Sequence, residues 1–262
     1  MNNALVDLAP DPRLESAGFR FGDRGTHTSR TMMLSELSDL LDVVPPEAER
    51  SEYVTEIIDH NVLAKQTEAT RRLTSQRLAE LYGLDVTVPI FRVLRRLWMV
   101  DPPGRPLLAL LCALARDPLL RATASSVLRL PTGTELMRVD LRDAIRGSVG
   151  SRLNDSILDK VARNAGSSWT QSGHLLGRVR KIRQRVTPTV GPVALALWMG
   201  TLEGLAGERL LSCRWVRVLD RSGGEVVEFV LRAKQLGLLH ARVGGGVVEI
   251  DTSGLDLPTP RS

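Results

Sequence analysis

The sequence predicts a mostly α-helical protein made of tandem helical domains, with helix-turn-helix and winged-helix units and a small C-terminal β-hairpin wing. Three observations predict this fold class. Apolar side chains recur every three or four residues over most of the 262-residue chain, which is the period of amphipathic helices. Proline and glycine clusters interrupt these patterns. Near the C-terminus, a helical pattern is followed by two short β-type runs that three glycines join.

The first 130 residues are predicted to form an arm and a helical domain. Residues 1–30 lack a sustained hydrophobic period, so we expect a flexible N-terminal arm. Residues 31–130 are predicted to form an N-terminal helical domain, in which Thr67 caps a helix that runs to Tyr82. Further helices of this domain are predicted over 34–41, from 53, after 89, over 106–115 and over 119–130.

Residues 131–187 form a basic segment, which is the strongest functional clue in the chain. A helix over Glu135–Arg146 is predicted to lead into it. The stretch from Lys160 to Val186 contains no carboxylate. Such an imbalance favours contact with an anionic partner, although a run of arginines on a helix is more often a solvated face. Its seven basic residues are Lys160, Arg163, Arg178, Arg180, Lys181, Arg183 and Arg185.

Two helices separated by a tight turn are predicted inside this segment. Asn154 or Asp155 can cap the first helix, and Gly166 can end it. Ser168 and Gln171 have the spacing of a capping box, which predicts the start of the second helix at Ser168. The pair would form a helix-turn-helix, whose second helix enters the major groove of DNA.

The predicted second helix has an apolar stripe and a basic stripe. The apolar stripe consists of Leu175, Val179, Ile182 and Val186. The basic stripe suits a polyphosphate backbone, with the first residues at base edges and the later cations at phosphates. Gly173 and Gly177 would each destabilise this helix by about 1 kcal/mol relative to alanine. The DNA-binding residues predicted here are Ser168, Thr170, Gln171, His174, Arg178, Arg180, Lys181, Arg183 and Arg185.

Residues 188–251 are predicted to form a winged-helix-like C-terminal domain, followed by a tail over 252–262. The domain begins with an apolar helix over Val193–Leu205. A second helix over Glu225–Leu236 precedes two β-type runs, His240–Val243 and Val247–Ile250, in the order of a recognition helix and a wing. In that arrangement Arg232 and Lys234 on the helix and Arg242 on the wing would contact DNA. The alternative is a hairpin that only closes a small core.

Composition and motifs restrict the function classes. The formal net charge of +5 favours an anionic partner without requiring one. The four histidines are separated from one another and from the two cysteines, and neither a phosphate-binding loop nor a nucleophile elbow is present. Asp155 and Asp159 are interpreted as solvated or capping residues. We therefore expect a non-enzymatic protein without a metal or cofactor.

The sequence also bears on the compartment. The two cysteines lie in apolar surroundings far apart in the chain, so we expect core thiols in a reducing cytoplasm. The first residues lack the basic and apolar regions of a signal peptide. The longest apolar run, Leu107–Ala115, is about half the length that spans a bilayer. We expect a cytoplasmic protein without membrane contact.

A short motif lies at the start of the predicted basic helix that Thr67 caps. It has the form Asn-x-Leu-x-Lys-x-(Ser/Thr)-x-x-Thr and consists of Asn61, Leu63, Lys65, Thr67 and Thr70. With this motif, the stretch Tyr53–Trp98 resembles the BrxA family of the BREX phage-defence systems, in which such a segment precedes a basic helix. The match covers under a quarter of this chain. The resemblance implies a small, non-catalytic, mostly helical factor with winged-helix units that binds double-stranded DNA, alongside a methyltransferase, an ATPase and a phosphatase-like partner.

We therefore expect a double-stranded-DNA-binding accessory protein of a BREX-type system, with other proteins of that system as further partners. A second predicted basic patch consists of Lys65, Arg71, Arg72 and Arg77. One alternative is an adaptor whose arginines meet acidic protein surfaces. Another is a helical RNA-binding factor of the antitermination type, against which the shortage of exposed aromatic residues argues. A stand-alone transcription regulator is a further alternative.

Overall fold

The computed structural model of the protein describes residues 5–257. Residues 1–4 and 258–262, which belong to the predicted arm and tail, lie outside the described part. The fold is mostly helical, as predicted. The helices are α1 (Pro12–Ser16), α2 (Leu34–Val43), α3 (Arg50–Ile58), α4 (Glu68–Tyr82), α5 (Pro89–Val100), α6 (Arg105–Arg116), α7 (Pro118–Ala122), α8 (Ala124–Leu128), α9 (Arg138–Val149), α10 (Asp155–Gln171), α11 (Val190–Leu202), α12 (Glu208–Leu211), α13 (Arg214–Val218) and α14 (Val227–Gln235).

The strands form two small antiparallel sheets. Strands β1 (Glu135–Leu136), β2 (Leu175–Leu176) and β3 (Lys181–Arg183) form a three-stranded sheet in the order β1-β3-β2. Strands β4 (His240–Gly244) and β5 (Val247–Asp251) form a hairpin in which His240 lies opposite Asp251. The predicted hairpin directly after a C-terminal helix is confirmed, because α14 leads into β4 and β5.

Local sequence signals set several helix starts. The Thr67 hydroxyl accepts a hydrogen bond from the Thr70 backbone N–H at 3.2 Å, which confirms the predicted cap of α4. The Asn154 side chain accepts from the Ile157 N–H at 2.9 Å and caps α10 in the same way. Proline lies in the first turn of α5, α6 and α7. The N–H groups of a first turn have no acceptor within the helix, so a residue without an N–H is tolerated there.

Helices α6 and α11 lie at the centre of the molecule. All residues of α6 from 107 to 115 and all residues of α11 from 191 to 200 are buried. A helix that is apolar on every side is stable only when other elements surround it. Around these two helices, one cluster of buried hydrophobic side chains extends from Leu5 to Leu255 and continues across residues 131 and 188, where domain boundaries are predicted.

The predicted flexible arm is packed against the protein over the part that the structure describes. Leu5, Leu14 and Phe19 belong to the hydrophobic core. His27 is fully buried and hydrogen-bonded to Asp117. This segment has no sustained hydrophobic period because it consists of very short helices and loops, each of which contributes one or two side chains to the core.

The predicted second helix of the basic segment does not exist. Helix α10 continues through Gly166 to Gln171, and the chain then forms the hairpin of β2 and β3. Gly173 and Gly177 have φ values of +85° and +108°, a conformation that a helix excludes and that glycine adopts without strain. The Ser168 capping box is therefore also wrong, since Ser168 lies inside a helix. The apolar stripe predicted for the second helix does not form one face, because Leu175 is buried and Val179 is 87% exposed.

Two smaller boundaries differ from the prediction. The helix predicted over 119–130 is divided at Thr123 into α7 and α8. The first residues of the helix predicted from Glu135 instead form β1, because they pair with β3.

Within residues 5–257, no helix combines the length and the apolar character that a bilayer crossing requires.

Candidate nucleic-acid interface

A groove of about 580 Å³ lies between α9, α10 and the β2–β3 hairpin. Strand β1 leads into α9, and its pairing with β3 holds the hairpin beside the two helices. The groove wall includes the apolar or small residues Leu141, Ala162 and Gly166. Four cations also line the groove: Arg138, Arg163, Arg178 and Lys181.

Helix α10 has one buried face and one polar face. Leu158, Val161 and Ala165 face the core. The polar row lacks carboxylates and advances by four, three, four and four residues, which keeps it on one side of the helix. This row consists of Ser156, Lys160, Arg163, Ser167 and Gln171.

Several cations on this surface are free of internal partners. The side chains of Arg138, Lys160, Arg163 and Arg178 are exposed, and within residues 5–257 none of them forms a hydrogen bond or an ion pair. Arg163 lies one turn after Lys160 on α10, and Arg178 lies on the turn of the hairpin. These four side chains therefore present positive charge to solvent on the side of the groove.

Lys181 is partly committed to the protein. Its amine donates to the Thr170 hydroxyl at 2.8 Å and to the Gly177 carbonyl at 3.4 Å. Its stem passes over Gly166, where an added Cβ would lie 3.3 Å from the Lys181 Cδ. Partial burial lowers the pKa of Lys181.

Three predicted phosphate ligands are paired with carboxylates from distant parts of the chain. Arg180 pairs with Glu135 at 2.7 Å. Arg185 pairs with Glu225 at 2.7 Å, and the buried Arg183 pairs with Asp220 at 2.5 Å. These acids are 35 or more residues away in sequence. The basic segment itself contains no acid, but the fold brings acids from other segments beside its arginines.

Three of the predicted DNA-binding residues have internal roles. Ser168 and His174 are fully buried. The His174 Nε2–H donates to the Val218 carbonyl at 2.7 Å, and burial lowers the pKa of His174 to about 4. The Thr170 hydroxyl donates to the Gly166 carbonyl at 2.9 Å. Gln171 is exposed at the end of α10, where its amide donates to the Thr31 hydroxyl at 3.3 Å.

Ser168, His27 and Asp117 form an unexpected buried chain of hydrogen bonds. The His27 Nδ1 lies 2.8 Å from the Asp117 carboxylate, and its Nε2 lies 2.8 Å from the Ser168 hydroxyl. The order of groups is that of a serine-hydrolase triad. Ser168 and His27 are both 0% exposed, and the serine oxygen also accepts from the Met32 N–H at 2.8 Å. This chain therefore ties the N-terminal segment to α7 and α10, and its serine cannot reach a substrate.

The second predicted patch is also largely paired. Lys65 pairs with Glu36 at 3.1 Å, and Arg77 pairs with Glu80 at 2.7 Å. Arg72 pairs with Glu68 one turn away on α4. Arg71 donates to the carbonyl of Ile58. The four cations therefore form separate local contacts.

The motif that carries the family resemblance builds a turn and a helix start. Asn61 has a φ of +53°, and its side chain accepts from the Lys65 N–H at 2.8 Å. Leu63 is buried in the core. Thr67 caps α4, and the Thr67 and Thr70 hydroxyls lie 2.9 Å apart. The matching residues thus have structural tasks in this protein.

The C-terminal candidates lie on α14 and on the hairpin as predicted, and all three are exposed. Arg232 donates to the Gln235 side chain at 3.2 Å. Lys234 and Arg242 have no hydrogen bond or ion pair within the described residues. A groove beside α14 is lined by Val190, Phe229 and Leu231 together with Arg232, so this helix presents an apolar as well as a basic surface.

Arg138, Lys160 and Arg163 were missing from the residues predicted to bind. Lys160 and Arg163 are three residues apart and share the polar row of α10 with Ser167, which the sequence alone could have indicated. Arg138 has no such local signal, because only the pairing of β1 with β3 brings it to the groove.

Comparison of the chain with protein-family models and with curated proteins found no match.

Proposed function

We propose that the protein is a non-enzymatic double-stranded-DNA-binding factor and that the groove of α9, α10 and the β2–β3 hairpin is its DNA interface. The element order of strand, helix, turn, helix and hairpin, with sheet order β1-β3-β2, favours a winged-helix unit in this part of the chain. In this proposal α10 is the recognition helix, and the turn between β2 and β3 is the wing.

The observation that carries the proposal is the set of free cations around the groove. Within residues 5–257, Arg138, Arg163 and Arg178 have no acid partner. Arg138 lies on α9, Arg163 on α10 and Arg178 on the hairpin. Guanidinium groups bind phosphate oxygens in a bidentate manner. Three such groups on three elements can contact successive phosphates of a backbone, because the elements are held together by the small sheet.

The polar row of α10 supplies groups that can reach base edges. Ser156 and Lys160 are exposed on this side of the helix, and the half-buried Ser167 donates its hydroxyl to the Arg163 carbonyl at 2.9 Å. A helix of 17 residues fits the major groove, which is about 12 Å wide. Recognition in this proposal therefore depends on α10, while the arginines set the position of the duplex.

We also propose, on the resemblance of Tyr53–Trp98, that the protein serves a BREX-type phage-defence system. The matching motif orders the turn before α4, far in sequence from the proposed interface. The hypothesis of system membership therefore rests on the likeness of a structural motif and is independent of the DNA-binding residues.

A protein adaptor is the second candidate, which the apolar side chains beside the groove favour. Val179 is 87% exposed, and Leu176 and Met137 are also exposed. Exposed apolar residues near a polar rim are typical of protein interfaces. In this candidate, the groove would bind an acidic partner whose apolar residues cover the hairpin.

Fluorescence anisotropy with labelled duplex DNA, single-stranded DNA and duplex RNA at two salt concentrations distinguishes these candidates. We expect duplex DNA to bind most tightly and to lose affinity as salt increases, because bound phosphates release counterions. Preference for RNA would favour the antitermination-type alternative. Absence of binding to all three nucleic acids at low salt would reject the DNA proposal and leave the adaptor.

A further inference from the structure

A second cavity, of about 510 Å³, lies in the N-terminal part of the protein, between α3, α4 and the segments beside them. It shares no lining residue with the proposed DNA groove. Sites for small molecules have volumes of about 300 to 1,000 Å³ and combine an apolar wall with a few placed polar groups. The cavity therefore has the size of a ligand site that is separate from the DNA interface.

Two guanidinium groups converge at this cavity. Arg20 Nη1 and Arg116 Nε donate to the same atom, the carbonyl oxygen of Glu80, at 3.3 and 3.1 Å. Arg116 also donates to the carbonyls of Gly18 and Ala79. Within residues 5–257, neither guanidinium forms an ion pair with a carboxylate. Two like charges thus share one neutral acceptor.

This arrangement leaves positive charge that an anion would neutralise. Burial, and next the neighbouring charge of Arg20, lower the pKa of Arg116 to about 10. A buried cation without a counter-ion is destabilising, and an anion between two arginines offsets that cost through charge-assisted hydrogen bonds. The convergence of Arg20 and Arg116 therefore favours a negatively charged ligand.

The carboxylates that line the cavity are already bound. The Glu80 carboxylate accepts from Thr26 at 2.8 Å and from Arg77 at 2.7 Å. The Asp85 carboxylate accepts from the Thr87 N–H at 2.9 Å and from its hydroxyl at 2.6 Å. Within residues 5–257, neither acid pairs with Arg20 or Arg116. A guanidinium has five N–H donors, of which Arg20 uses one and Arg116 three, so both arginines keep donors for a ligand.

Arginines of α3 and α4 extend the positive rim. Arg50 is exposed at the start of α3 and has no side-chain partner within the described residues. Arg72 pairs with Glu68, but both side chains are more than half exposed. Such exposed helical pairs contribute little and exchange easily for a stronger anion.

The other wall of the cavity is apolar. Val54, Ile58 and Val88 line it, and the fully buried ring of Tyr53 supports it from the core side. Tyr53 is held edge-to-face against Phe91 with ring centroids 5.4 Å apart, so this wall is rigid. A planar ring suits such a wall, and phosphate oxygens suit the arginines opposite it.

We propose that this cavity binds a phosphorylated small molecule of mononucleotide size, with its ring on the wall of Val54, Ile58 and Val88 and its phosphate at Arg20, Arg50 and Arg116. The cavity volume fits one nucleoside monophosphate and leaves no room for a duplex. The proposal does not depend on the DNA interface.

Isothermal titration calorimetry of the full-length protein with the four ribonucleoside monophosphates, with adenosine and with inorganic phosphate tests this site. We expect saturable binding of at least one monophosphate, tighter than that of inorganic phosphate or adenosine. The R20A and R50A variants should each weaken it by about tenfold, the loss expected for charge-assisted hydrogen bonds. The R217A variant, an exposed arginine on α13 that does not line the cavity, should bind like the wild type.

Two results would overturn the proposal. One is the absence of saturable binding for all four monophosphates. The other is equal affinity in the R20A, R50A and R217A variants, which would place any bound nucleotide elsewhere. Anisotropy of duplex DNA with R20A and R50A separates the two sites, since we expect both variants to bind DNA as the wild type does.

Discussion

At the scale of single residues, arginine has two different uses in this protein. Buried arginines donate to backbone carbonyls at element ends: Arg121 Nη1 reaches the carbonyls of Leu114 and Ala115, near the end of α6, at 2.8 and 3.0 Å. The buried Arg95 reaches the carbonyl of Val44 in the same way, after α2. Exposed arginines such as Arg163 and Arg178 form no such hydrogen bond in the part of the chain that the structure describes. A count of arginines in the sequence therefore overstates the surface that can bind an anion.

The buried Asp117 stabilises several parts of the fold at once. Its carboxylate accepts from the Leu119 and Leu120 N–H groups at the start of α7 and contacts both the backbone and the ring of His27. In D117N, an amide donor would face two donors of His27. We expect a loss of about 3 to 5 kcal/mol in the free energy of unfolding, because one partner of a buried pair is removed.

Urea unfolding followed by circular dichroism measures that loss. D143N changes an exposed aspartate of α9 with no described partner and is the matched control, for which we expect no measurable change. A D117N protein as stable as D143N would show that the His27–Asp117 contact contributes little.

His174 is expected to make stability depend on pH. Its pKa is about 4 in the folded protein and near 6.5 when unfolded. Between these values the unfolded state binds more protons, so its contribution to stability is complete above pH 6.5 and is lost as the pH falls towards 4. The H174Q variant keeps a donor for the Val218 carbonyl and cannot titrate.

Thermal unfolding of the wild type and H174Q from about pH 7.5, above the unfolded pKa of His174, to about pH 4, its folded pKa, checks this. The melting temperature of the wild type should fall more steeply over the acidic part of the range than that of H174Q. Parallel curves would mean that His174 stays neutral in both states or that its surroundings open before it titrates.

At the scale of elements, the β2–β3 hairpin depends on Gly177. An added Cβ there would lie 2.0 Å from the Arg180 carbonyl oxygen, and the φ of +108° is unfavourable for any other residue. The G177A variant should distort the turn that carries Arg178 and Val179 and weaken duplex binding several-fold. Because the turn is exposed, the melting temperature should change little.

Gly147 on α9 provides the control, since an added Cβ there meets no atom within 4 Å. Anisotropy and thermal unfolding of G177A and G147A should separate the role of the hairpin from general destabilisation. If G177A binds duplex DNA as tightly as G147A, the hairpin is not part of the interface.

Much of the helical fold could be predicted because its signals are local. The Thr67 cap, the proline starts of α5 and α6, and the helix–hairpin order at the C-terminus all depend on neighbouring residues. The prediction of a second helix in the basic segment was wrong because Leu175, Val179 and Ile182 fit a helical period by coincidence. Gly173 and Gly177, four residues apart, were the signal of a turn, strand and turn.

The candidate site was harder to predict because charges are paired in space. The acids that hold Arg180, Arg183 and Arg185 are 35 or more residues away, and no local window contains them. The free cations of the groove lie on α9, α10 and the β2–β3 hairpin, and the pairing of β1 with β3 brings these elements together. Sequence could indicate the segment but could not show which of its cations face solvent.

At the scale of the whole molecule, the proposed interface is built on a rigid support. The N-terminal segment is tied to α10 through Ser168, whose oxygen contacts both His27 and the Met32 backbone. Asn164 of the same helix donates to the His27 carbonyl at 2.8 Å. The buried side of α10 is thus fixed by residues more than a hundred positions away, which leaves its polar row free to face a ligand in one orientation.

The salt dependence of duplex binding by the R163A/R178A double variant shows whether the free arginines of the groove contact DNA phosphates. Each lost phosphate contact lowers the slope of log affinity against log salt by about 0.9, so we expect a slope smaller by about two. The R180A/R185A variant removes two arginines that are paired with Glu135 and Glu225 and should keep the wild-type slope. An unchanged slope in R163A/R178A, or an equal decrease in both variants, would show that the groove of α9, α10 and the β2–β3 hairpin is not the DNA interface.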